Sequence, residues 1–300
     1  MSHATAPESR PGTSENPRIV LDVLTGLWRE ASRPLLWTAG VFAAMAPLSA
    51  ALVVIDPRVL DGANVWLKPL KFQLSVSIFL ATLAFMMPLA APSFRRGVLG
   101  KSTVAIALAT STFEIAWITF RAAIGERSHY ATDTAFGGTM YALMGIAAVL
   151  LSLTPVAVAT SAMLTTDVRR STQILRWGIV LGSVVGLVGA SGIGFLLGGS
   201  PDHYPTDPQD AEHRLPVAGW SVERGDLRIA HFVGLHAMQG LFVASLFLLR
   251  LPPRWAKAVL VVGAIGWLAA VLWLTALALD NTSPFAIPPM LDPGHSEAAA

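Results

Sequence analysis

Apolar stretches of about 20 residues recur along this chain, each closed by a short polar segment, and this recurrence constrains the fold more than any other feature. A bilayer's hydrocarbon core is about 30 Å thick, and a helix rising about 1.5 Å per residue needs about 20 apolar residues to cross it. Seven stretches reach that length: residues 34–55, 69–91, 102–124, 136–163, 174–198, 227–250 and 256–279. Only 13% of the residues are charged, against about 25% in a soluble domain. The expectation is an all-α, polytopic transmembrane helix bundle of seven spans whose main partner is the lipid bilayer. Residues 1–33 read as a polar N-terminal tail without the apolar core of a secretory signal, with Ile19 to Arg29 able to form a surface helix. Residues 34–280 form the transmembrane domain, with one long loop at 199–226, and 281–300 read as a disordered tail.

The loops orient the bundle. With the N-terminus in the cytoplasm, the inner segments hold 13 Lys and Arg and the outer segments hold 8. The positive-inside rule therefore puts the N-terminus in and the C-terminus out. A count of 17 Arg against 4 Lys is the usage of a GC-rich bacterial genome, hence a bacterial cytoplasmic (inner) membrane. The pI of about 9.2 does not indicate nucleic acid, because the basic residues sit in short loops between apolar runs. Without cysteine the chain has no disulfide, thiolate metal site or cysteine nucleophile.

Ionisable groups inside a span are costly unless paired or hydrated, so each marks a candidate site. The third span supplies Glu114, with Trp117 and Arg121 on the same helix face. Glu114 is either a ligand or general base, or half of an ion pair that locks two helices together. The second span opens with Trp66-Leu67-Lys68-Pro69-Leu70-Lys71-Phe72. Pro69 suits the first helical position, and Trp66 suits the interface belt. Lys68, Lys71 and Ser75 share a face at the positive end of a helix, a natural place for a phosphate or carboxylate, unless the lysines simply snorkel to headgroups.

The sixth span is the most informative. Asp226 reads as its N-cap, and Arg228, His231, His236 and Gln239 form a polar stripe that must face a bundle interior or a hydrated cavity. His231 and His236 are five residues apart and cannot grip one metal by themselves. A metal would need His129 or Glu114 in addition. Gly178, Gly182 and Gly186 have the spacing of a close helix–helix contact. Two readings follow for an outward-opening pocket. In the first, His129, His231 and His236 hold a transition metal or a haem b, Glu114, His231 and His236 carry catalysis, and Lys68, Lys71, Arg121, Arg228 and Gln239 bind an anionic substrate or the propionates. In the second, the lysines hold an anionic small molecule in a transporter, with Glu114 and the histidines relaying protons. An accessory role, in which the stripe packs against a membrane partner or another copy of the chain, is a third.

The Trp66–Phe72 segment, Ser128-His129, Gly219-Trp220-Ser221 and the run from Asp226-Leu227-Arg228 through His231-Phe232 to Leu235-His236 and Gln239 resemble the signature of an uncharacterised family of bacterial multi-pass membrane proteins. The resemblance spans residues 60–245 and implies a site location without implying an activity. The last span has no Schiff-base lysine of the rhodopsin kind, and the serine and histidine spacings of the ceramidase-type zinc hydrolases are absent.

Overall fold

The structure is a computed structural model that describes residues 18–165, 170–199 and 213–285. The chain is a multi-pass, all-α membrane protein. A short helix α1 (Ile19–Glu30) precedes α2 (Arg33–Ile55), and a two-stranded hairpin, β1 (Val59–Leu60) and β2 (Ala63–Asn64), leads into α3 (Leu67–Met86). Next come α4 (Pro92–Arg96), α5 (Val98–Ala123), α6 (Ala135–Leu164), α7 (Arg170–Leu187), α8 (Ile193–Gly199), α9 (Leu227–Leu235), α10 (Ala237–Leu248) and α11 (Pro253–Leu279). A π-helical turn, Val188–Gly192, joins α7 to α8. Among the described residues six helices are long and apolar enough to cross a membrane, and α9 with α10 makes a seventh crossing if the bent pair is one span. The tails, at 1–17 and 286–300, and most of the long loop with His203 lie outside the described residues.

The sixth predicted span is not one rod. Its halves, α9 and α10, meet at His236 with a bend of 41°. Arg228 and His231 lie on α9, and Gln239 lies beyond the bend on α10. The 174–198 stretch is likewise interrupted, here by the π turn. Both irregularities leave a carbonyl looking for a donor. In the π turn the Ile193 N–H bonds back to Val188, so the Gly189 carbonyl loses its usual donor four residues on. His231 Nδ1 replaces it at 2.9 Å. Beside the bend, the Val233 carbonyl accepts from the Trp267 indole N–H at 2.9 Å. In a membrane interior such groups must be satisfied within the protein.

Close packing follows the glycines. A Cβ on Gly182 would stand 2.9 Å from the Met238 Cα, and one on Gly189 would stand 2.2 Å from the Gly234 Cα. α7 and the π turn thus press backbone to backbone on α9 and α10, as the small-residue spacing predicts. α2 packs most heavily on α3, where Ser49 Oγ donates to a fully enclosed Gln73 Oε1 at 2.9 Å. In α2 and α11 only 22% of the apolar window is buried by the rest of the chain, against 56% in α3. α3 is therefore central, and α2 and α11 present most of their surface to lipid.

Candidate functional site

Three short segments close one end of the bundle. The first is the β1–β2 hairpin, whose Asp61 and Gly62 have φ of 52° and 74°, the pattern of a tight Asp-Gly hairpin turn. Asp56 at its base accepts from Arg58 Nη2 at 2.6 Å and from the Trp66 indole at 2.8 Å. The Arg58 guanidinium first, and Trp66 second, hold the Asp56 carboxyl well below the usual carboxylate range. Trp66 is thereby buried against the hairpin and does not sit in a lipid-facing belt. α3 also begins earlier than the proline suggests, at Leu67, so Pro69 is its third residue, where a missing N–H still has no intrahelical partner.

The second segment, 124–134, carries His129. The Trp117 indole donates to the Ser128 carbonyl at 3.0 Å, and Arg121 lies over the Trp117 ring at 5.2 Å. Arg121 also pairs with Glu126 and donates to the Arg127 carbonyl at 2.9 Å. Arg121 is thus engaged as a latch on this segment, while Arg127 pairs with Asp61 of the hairpin. Tyr130 donates to the Leu197 carbonyl at 2.7 Å, and burial first, then Tyr141, raises its hydroxyl above the ordinary tyrosine value.

The third segment, 213–226, crosses the top. Arg214 donates to the Asp61 carbonyl at 3.1 Å. The Ala218 N–H bonds to the Pro216 carbonyl at 2.7 Å around Val217, whose φ is 64°. That is a γ-turn of the strained, positive-φ kind, and a β-branched residue there is unusual. Asp226, 1% exposed, caps α9 by accepting from the Arg228 amide at 3.0 Å. The Arg228 guanidinium folds back on the same carboxylate at 2.6 Å and donates to the Gly219 carbonyl at 2.8 Å.

Beneath these segments the sequence-predicted residues divide into two groups. Lys68, Lys71, Glu114, His129 and Arg228 come together. Lys68 Nζ is 3.0 Å from His129 Nδ1, and Lys71, Glu114, Asp61 and Arg228 are the charges within its electrostatic reach. Glu114 is 6% exposed, and Lys68 is the cation that acts on it. Lys71 Nζ donates to the Ala218 carbonyl at 2.9 Å. Among the described residues no carboxylate lies within ion-pair distance of Lys71. Phe72 and Tyr141 flank the His129 ring at 5.9 and 6.1 Å.

His231, His236 and Gln239 stand apart from that group. His231 is committed through Nδ1 to the Gly189 carbonyl, and because a carbonyl only accepts, Nδ1 carries the proton. His236 packs edge-on to Phe232 with centroids 4.3 Å apart, and Phe232 meets Trp220 at 5.2 Å. Gln239 Oε1 is buried with no hydrogen-bond partner among the described residues. The three histidines occupy three different environments, and among the described residues no three His, Asp or Glu side chains gather as metal ligands would.

Sequence reasoning missed Tyr130, Tyr141 and the Ala218 carbonyl. The hairpin was readable from Asp61-Gly62, but nothing local marks Ala218 as the partner of Lys71. No protein-family model, curated protein or solved structure matches this chain.

Proposed function

We propose that this protein binds a small anion, carboxylate or phosphate in character, at the end of the bundle where Lys68, Lys71 and Arg228 converge. Lys71 carries the proposal. Arg228 is paired with Asp226, and Lys68 faces Glu114, but the half-buried Lys71 ammonium bonds to a loop carbonyl, and the one carboxylate acting on it, Asp226, is already taken by Arg228. A charge held away from water without a carboxylate in ion-pair contact is costly. An anion arriving from solution would displace the Ala218 carbonyl and supply that contact, at the positive end of α3. The strained turn at Val217 favours this exchange, since releasing the carbonyl also releases the backbone. The 213–226 segment then acts as the cover of the site.

Lys68, His129 and Ser128 are in hydrogen-bond contact, and Glu114 lies within the electrostatic reach of Lys68, so the site gathers groups able to exchange protons. It fits anion movement coupled to proton movement across a bacterial inner membrane. The basic-residue balance puts this end outside. The metal- or haem-dependent reading draws no support from histidines that do not converge.

The test uses the absence of native cysteine. Pro216→Cys, on the exposed tip of the cover, is labelled in proteoliposomes with a membrane-impermeant maleimide, with and without inorganic phosphate or succinate. Labelling from outside whose rate changes with one of these anions, and no longer changes in Lys71→Ala, supports the reading. A rate indifferent to every anion overturns it.

A further inference from the structure

The opposite end of the bundle carries a groove of about 220 Å³ between α7, α10 and α11, with Ile19 of α1 at its edge. Ile174, Trp177, Leu248 and Leu249 give it an apolar floor, and Arg254 and Lys257 line its mouth. Among the described residues no acidic side chain lines it. Lys257 Nζ rests 3.9 Å from the centre of the Trp177 indole. That cation–π contact fixes the ammonium without using its N–H donors. Arg254 and Lys257 are both exposed, and neither pairs with a carboxylate among the described residues.

We infer that this groove holds the headgroup of an anionic phospholipid. Three observations select that occupant. The groove lies where α7 and α11 begin and α10 ends, the level at which headgroups meet a transmembrane bundle. Among the described residues its charge is wholly positive, complementary to a phosphodiester. Its floor is aliphatic and aromatic, complementary to the first methylenes of an acyl chain, with Trp177 at interfacial depth. A soluble anion would use the two cations but gain nothing from Ile174, Leu248 and Leu249. The site is separate from the Lys71 site and stands independently of the proposal made for it.

The test is native mass spectrometry of the full-length protein released from mixed phosphatidylglycerol–phosphatidylcholine membranes. The wild type retains phosphatidylglycerol in preference to phosphatidylcholine. Arg254→Gln/Lys257→Gln loses that preference by about tenfold or more, as expected for two interfacial cations, whereas Lys257→Arg keeps it. Arg96→Gln/Lys101→Gln removes the same charge from another loop and leaves the preference unchanged. Equal retention in the groove variant, equal retention of phosphatidylcholine, or displacement of the lipid by inorganic phosphate would each overturn the assignment.

Discussion

Lys68 Nζ lies 3.0 Å from His129 Nδ1, joining the first turn of α3 to a loop 61 residues further along the chain. While Lys68 is charged it can only donate, so this contact requires an unprotonated Nδ1. The same ammonium is the cation facing Glu114. One side chain therefore contacts a surface loop and acts electrostatically on a carboxyl group in the interior.

Removing Lys68 is expected to damage the bundle more than removing Glu114. Lys68→Met removes the one cation acting on the enclosed Glu114 carboxyl, at a cost of about 1–3 kcal/mol. Glu114→Gln leaves Lys68 with His129 and is milder. The double variant Lys68→Met/Glu114→Gln recovers much of the loss, read as thermal unfolding in detergent. Additive losses would show that the two residues are not coupled.

The crossing of the π turn over α9 sets a second expectation. A methyl on Gly189 would meet the Gly234 Cα at 2.2 Å, so Gly189→Ala destabilises by at least about 1–3 kcal/mol. Gly138→Ala and Gly145→Ala, where nothing lies within 4 Å, stay neutral or gain up to about 1 kcal/mol. His231→Ala orphans the Gly189 carbonyl at a cost of about 1–3 kcal/mol. Because the imidazole acts there as a donor, His231→Gln restores part of the loss. Equal stabilities for all three glycine variants would contradict this packing.

Strain in the cover is testable by relieving it. Val217→Gly removes a positive-φ penalty of about 1–3 kcal/mol and lowers the drive to release the Ala218 carbonyl. Amide exchange across 213–226 slows in this variant, and anion affinity falls. Faster exchange would mean that the turn is not held under strain.

The hairpin should be insensitive to pH across the neutral range. The folded Asp56 carboxyl is depressed by Arg58 and Trp66. Its contribution is thus fully present above its unfolded value of about 3.9, and is lost only as pH falls through the lower folded value. The environment of the Trp66 indole proton, followed by NMR, stays constant from neutral down to mild acid and changes only in strong acid. Asp56→Asn shows the altered signal at every pH.

The spans were legible because bilayer thickness dictates run length. The observed helices begin and end within a few residues of the apolar stretches, as at α2 and α6. Asp226 as a cap was legible too, since N-capping is local chemistry. The break at His236 and the π turn were not, because each is stabilised from another helix, by Trp267 and His231. Lys71 stood out as an awkward cation, but its partner is a backbone carbonyl 147 residues away, which no residue type announces.

Anion binding at Lys71 is measured at equilibrium on the purified protein in lipid nanodiscs. Inorganic phosphate, sulfate, acetate and succinate are titrated by calorimetry into the wild type and Lys71→Gln. The wild type binds at least one of them saturably, and binding is about tenfold or more weaker in the variant, as expected for loss of a charged hydrogen bond of about 1.5–3 kcal/mol. Binding that is unchanged in Lys71→Gln, or absent from a correctly folded wild type, would contradict an anion site at Lys71.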